Sequence, residues 1–239
     1  MRRRYLAEFL GTFGIVFAPV ALSATGKLDG GAAGLLPAAL VSGLAVMAMI
    51  YALGPISAAH FNPAVTLAFA AARRFPWRFV LPYWVCQILG AVVAAGLVAV
   101  LFGPGHGVHV PAISGGILRA LGTEVVLSFF LMLVIASVAT DRRVSGTVPA
   151  IGIGFTVVLL VLIGGPITGG SMNPARSLGP ALVSGGPALS AAWLYIVAPA
   201  VGAVLGALAY EAVRIHQESA CGAPNELLEA LEQTEAIAA

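Results

Sequence analysis

The tripeptides Asn62-Pro63-Ala64 and Asn173-Pro174-Ala175 are the residues of this chain best suited to chemistry. Asparagine is a favoured helix N-cap, and proline suits the first helical position because its φ is preset and its missing N–H would find no partner there. Each tripeptide therefore opens a helix. The cap uses the amide oxygen, so the amide N–H groups remain to donate to a passing oxygen. A helix N-terminus also carries about half a positive charge, and Arg176, three residues after Asn173, adds a permanent one. A single such cap is ordinary helix punctuation. Two copies in equivalent settings imply a shared task.

The two helices are predicted over 62–72 and 173–183, followed by Arg73 and Ser184. At 1.5 Å per residue each spans roughly 16 Å. Two laid end to end match a hydrocarbon core of roughly 30 Å.

The elements that position them follow from composition. Of 239 residues 59% are apolar and 9% charged, against roughly 25% charged in soluble domains. A water-soluble globule is excluded. Six stretches are apolar and long enough to span a bilayer: 5–24, 35–53, 79–101, 116–139, 148–163 and 188–213, the fifth being the shortest. The expected class is an all-α membrane protein with six transmembrane helices and two re-entrant half-helices.

All 12 Lys and Arg lie at or before Arg214, while five of the 10 acids lie beyond it. With the N-terminus in the cytoplasm, nine of the twelve cations (Arg2, Arg3, Arg4, Arg73, Arg74, Arg78, Arg142, Arg143 and Arg214) fall inside. Lys27 and Arg119 fall outside, and Arg176 sits in a re-entrant loop. Both termini are then cytoplasmic. The basic excess reflects topology and implies no nucleic-acid partner. Residues 1–24 imitate a secretory signal, but the run carries Glu8 and has a counterpart in the second half, which argues against cleavage. Cys86 lies in a span and Cys221 in the tail, so no disulfide, metal or cofactor site is readable.

Three spans per half, with a tripeptide segment between the second and third, force the second half to enter from the opposite side. The chain reads as inverted repeats, 1–110 and 111–214, with a cytoplasmic tail at 215–239. Ala7-Glu8-Phe9-Leu10 in the first span parallels Thr123-Glu124-Val125-Val126 in the fourth. The two half-helix N-termini then converge near the midplane, where irregular backbone is tolerated only beside water or inside protein. Ala58, Ala59, His60 and Phe61 before one tripeptide, and Gly169, Gly170, Ser171 and Met172 before the other, are expected to run extended and aim carbonyls at a narrow channel. Together these features predict a pore.

HFNPAVTLA and GGSMNPARSLGPA, on six spans with paired glutamates, resemble the aquaporin or major intrinsic protein family over about residues 6–214. The resemblance implies a homotetramer in the plasma or bacterial inner membrane, surrounded by lipid, with a pore in each protomer that excludes ions and protons. It assigns Glu8 and Glu124 to scaffolding the loops. It also puts a constriction at Ser42, Val161, Gly170 and Arg176: twenty residues before Asn62, twelve and three before Asn173, and three after it. Water-specific members generally carry an aromatic ring and a histidine at the first two positions, so this throat is expected to be wider. The set Ser, Val, Gly, Arg is similar to the nodulin-type subgroup, which passes boric, silicic or arsenous acid. Glycerol facilitators usually carry Asp after the filter arginine, where this chain has Ser177. The implied cargo is water and small neutral solutes, metalloid acids or small polyols such as glycerol.

Competing readings are a water-selective channel, a secondary transporter, which shares inverted repeats with broken helices, and an adhesive membrane protein. An intramembrane hydrolase lacks any nucleophile and base constellation, so no enzyme is implied. Intramembrane acids can mark ion pathways; here Glu8 and Glu124 read better as acceptors for loop N–H groups. His60 reads as a loop anchor. His106, His109 and His216 show no pairing that makes a site, and the tail reads equally as an amphipathic helix or as disordered.

Overall fold

The computed structural model describes residues 1–28, 34–109, 116–140 and 148–214. Among these the chain is helical: α1 (Arg2–Leu28), α2 (Leu35–Ser57), α3 (Pro63–Ala71), α4 (Val80–Phe102), α5 (Gly116–Thr140), α6 (Val148–Thr168), α7 (Pro174–Ser184) and α8 (Gly186–Val213), with a 3-10 turn at Trp77–Phe79. Six of them are long and apolar enough to cross a membrane, whereas α3 and α7 are short. The readings made for Arg142, Arg143 and the tail 215–239 lie outside the described residues.

Both short helices begin where their caps predict. The second and fifth spans run further than expected, through Gly54-Pro55 to Ser57 and through Gly165-Pro166 to Thr168. A proline this late in a helix removes one hydrogen bond near the end and leaves the last turn intact. That turn closes with Ala58 N–H donating to Gly54 O at 2.9 Å and Gly169 N–H to Gly165 O at 3.0 Å. Gly-Pro-Ile-Ser and Gly-Pro-Ile-Thr are thus equivalent helix ends in the two halves.

Small residues set the spacing. A side-chain carbon on Gly43 would stand 2.4 Å from Gly154 O, and one on Gly154 would stand 2.9 Å from Gly43 O. This contact carries α2 across α6 and joins the halves at backbone distance. Gly90 of α4 lies against Phe9 O of α1, and Gly202 of α8 against Val125 O of α5. Each short helix packs chiefly on the other half, α3 on α8 and α7 on α4. The perimeter exposes Leu81, Val100 and Leu118, an apolar coat suited to lipid chains.

Candidate pore and filter

The segments between α2 and α3, and between α6 and α7, position the site. Ala58, Ala59 and Phe61 have φ of 70°, 51° and 48°, and Gly169, Gly170 and Met172 have 86°, 59° and 54°. The loops are therefore coiled through left-handed positions, where an extended run was expected. Two buried carboxylates hold that shape. Glu8 accepts from His60 N–H at 3.0 Å, Phe61 N–H at 2.8 Å and Gln87 Nε2 at 2.7 Å. Glu124 accepts from Ser171 N–H at 2.9 Å, Met172 N–H at 2.8 Å and Thr168 Oγ1 at 2.7 Å. Both residues are fully buried, and a carboxylate there is tolerable because its oxygens are occupied by donors. The pattern extends to Tyr83, which donates to Ser57 O at 3.0 Å, and Tyr195, which donates to Thr168 O at 2.7 Å.

The asparagines stand side by side. Asn62 Oδ1 accepts from Ala64 N–H at 2.9 Å, and Asn173 Oδ1 from Ala175 N–H at 3.0 Å and Arg176 N–H at 3.3 Å. Pro63 and Pro174 occupy the first helical positions. Each amide also donates across to the opposite loop, Asn62 Nδ2 to Met172 O at 2.8 Å and Asn173 Nδ2 to Phe61 O at 2.9 Å. One N–H of each amide is thus spent on structure, and both residues line a cavity. The carbonyls of Phe61 and Met172 serve these cross-links.

Arg176 bonds to two of the residues expected at the constriction. Its Nη1 donates to Gly170 O at 2.6 Å and Ser171 O at 3.3 Å, and its Nη2 donates to Ser42 Oγ at 3.2 Å. Val161 backs the same loop, since a side-chain carbon on Gly170 would lie 3.1 Å from Val161 Cα. Among the described hydrogen bonds none uses the carbonyls of Ala58, Ala59 or His60, and all three residues line the same cavity as Asn62 and Asn173, the inner of two. His60 Nδ1 lies 3.1 Å from Thr66 Oγ1 and its ring packs among Phe69, Phe75 and Tyr83.

Two cavities meet here. One, of about 160 Å³, runs past Asn62, Asn173 and an apolar wall of Ile50, Leu131 and Ile153. The other, of about 250 Å³, is bounded by Val20, Leu35, Val161 and Gly169. The lining residues they share are Ser42 and Arg176.

The second cavity, the outer of the two, is also lined by His109, for which the sequence predicts no site. The residue is 8% exposed, its Nδ1 lies 3.3 Å from Ser177 Oγ, and its ring centroid is 5.6 Å from that of Tyr195. Ser177 Oγ in turn contacts Ser171 Oγ. Burial, and then the Arg176 charge, push the His109 pKa well below the ordinary 6.5, which favours the neutral ring. No spacing rule connects residue 109 with 177; only the course of loop 103–109 over the pore mouth does.

Comparison with known proteins agrees with this geometry. The model of the major intrinsic protein family matches residues 1–210. Aquaporin NIP1-1 of Oryza sativa subsp. japonica is 47% identical over 214 residues, covering 89% of this chain and 74% of that protein. Nodulin-26 of Glycine max is 44% identical over 213 residues, covering 89% and 78%. The X-ray structure of the aquaglyceroporin from Plasmodium falciparum superposes with a TM-score of 0.78 at 27% identity, covering 89% of this chain and 96% of that one. Paired caps, paired carboxylates and these likenesses converge: the chain belongs to the major intrinsic protein family, membrane channels for water and small solutes rather than enzymes.

Proposed function

We propose that this channel carries, besides water, small uncharged molecules bearing several hydroxyl groups, metalloid acids such as boric, silicic or arsenous acid or polyols such as glycerol, and that it turns back ions and protons. The observation that carries the reading is the composition of the narrowing, where Arg176 donates to Ser42 Oγ and Gly170 O and the remaining wall is Val161. None of these four positions carries a ring, so the throat admits more than single-file water. Its serine hydroxyl and loop carbonyls accept hydrogen bonds from hydroxyl groups while Val161 faces their apolar side. The likeness to the aquaglyceroporin from Plasmodium falciparum supports passage of a small polyol.

Ion rejection comes from Arg176 together with two opposed helix N-termini. The asparagine N–H groups left for the lumen orient a passing oxygen, which breaks any water-to-water proton relay at that point. The same reading has residues 1–110 and 111–214 as inverted repeats, each protomer of a homotetramer containing one pore, and both termini on the cytoplasmic side of a cell membrane. The ion pairs that Arg74 and Arg214 both make with Glu211 support grouping these two cations on one side of the membrane.

The test is osmotic shrinkage of reconstituted liposomes with water, glycerol, boric acid and arsenous acid. The wild-type channel is expected to pass at least one of the three solutes, and the double change Ser42→Phe, Val161→His to lower solute flux more than water flux. Unaltered solute-to-water ratios in that variant would reject the filter assignment. A wild type that passes water alone would make the channel water-selective.

A further inference from the structure

Position 169 and position 58 are equivalent in the two halves, each closing a Gly-Pro-Ile-Ser or Gly-Pro-Ile-Thr helix end with a left-handed φ of 86° and 70°. Position 58 is an alanine whose exposed side chain sits at the inner cavity. Position 169 is a glycine, and a methyl group there would stand 2.4 Å from His109 Cδ2 and 3.4 Å from His109 Nε2. The repeat is broken at this place because the imidazole occupies the space that a side chain at 169 would fill.

We propose that His109 is a further wall of the selectivity filter, a specificity-determining residue whose ring narrows the outer cavity just before solutes reach Ser42 and Arg176. The proposal rests on the filter reading given above. Three contacts fix the ring: the 3.3 Å approach to Ser177 Oγ, the residue after Arg176; the packing on Tyr195, whose hydroxyl holds Thr168 O at 2.7 Å; and the notch left by Gly169. Its placement therefore reports on the same loop that supplies the Gly170 and Ser171 carbonyls to Arg176. A neutral ring adds bulk and a ring nitrogen to the entrance without a second positive charge.

The experiment compares His109→Ala, His109→Asn, Gly169→Ala and the double variant Gly169→Ala, His109→Ala as full-length protein in liposomes, reading glycerol and water permeability together. His109→Ala is expected to raise the glycerol-to-water ratio severalfold, and His109→Asn to raise it less. Gly169→Ala alone is expected to depress both fluxes because methyl and imidazole collide, and removal of the imidazole in the double variant to restore them, a coupling that two independent sites would not show. An unchanged ratio in His109→Ala, or in His109→Asn where the alanine variant does not fold, overturns the proposal. So does a Gly169→Ala defect that persists undiminished in the double variant. If Ser42→Phe, Val161→His shifts selectivity and the His109 variants do not, this proposal fails alone; if neither responds, the filter reading fails with it.

Discussion

At the level of single residues the two loops solve one conformational problem with different side chains. Gly169 and Gly170 take left-handed backbone freely, whereas Ala58 and Ala59 hold φ of 70° and 51° with a Cβ attached. A left-handed alanine costs roughly 1 kcal/mol, which the Glu8 hydrogen bonds to the next two N–H groups help offset. Ala58→Gly is accordingly expected to stabilise the fold by up to about 1 kcal/mol, seen as a higher thermal unfolding midpoint in detergent. A lower midpoint would show that the alanine is not strained. Asn62 and Asn173 were legible as caps because capping is local chemistry. Their second bonds, to the carbonyl before the opposite tripeptide, depend on two residues far apart in sequence and were not.

Among the elements, helix length and helix contact were unequally readable. The spans announced themselves by apolar length, yet α2 and α6 outran their expected ends because a glycine-proline pair reads as a stop while a folded helix absorbs it in its last turn. Which helix meets which was beyond reach of periodicity, since spans surrounded by lipid and protein show little amphipathic contrast. The glycine contacts decide it. Gly154→Leu is expected to separate α2 from α6, costing several kcal/mol of the kind measured for overpacked cores, about 1–3 or more, and to appear as loss of monodisperse protein on size-exclusion chromatography. Recovery of normally folded, conducting channel would mean that the Gly43–Gly154 crossing is not tight.

For the molecule as a whole, the short helices bind the halves together, since α3 leans on α8 and α7 on α4. The pore is therefore a product of both repeats, and no single half contains it. Arg176 sits where the two cavities join and holds Ser42 from one half to Gly170 from the other. Arg176→Ala is expected to remove both the charge and the clasp, admitting a proton or cation leak measurable with a pH-sensitive dye inside proteoliposomes. A variant that stays proton-tight would transfer the exclusion to the asparagines and the helix dipoles.

Local and periodic information was enough to define the class: apolar runs of spanning length, two asparagine-proline caps, a carboxylate in each half and an odd number of spans per repeat together require inverted halves meeting at the midplane. These follow from bilayer thickness and backbone hydrogen bonding, which act on every segment separately. The folded arrangement supplied what depends on contacts between distant segments: the exchange of amide hydrogen bonds between loops, the bond from Arg176 to Ser42, and the intrusion of His109 into the notch at Gly169. Such contacts leave no periodic trace, because the chain is held to them by packing and not by spacing, and so the ring at the pore mouth became visible only once loop 103–109 had a place in space.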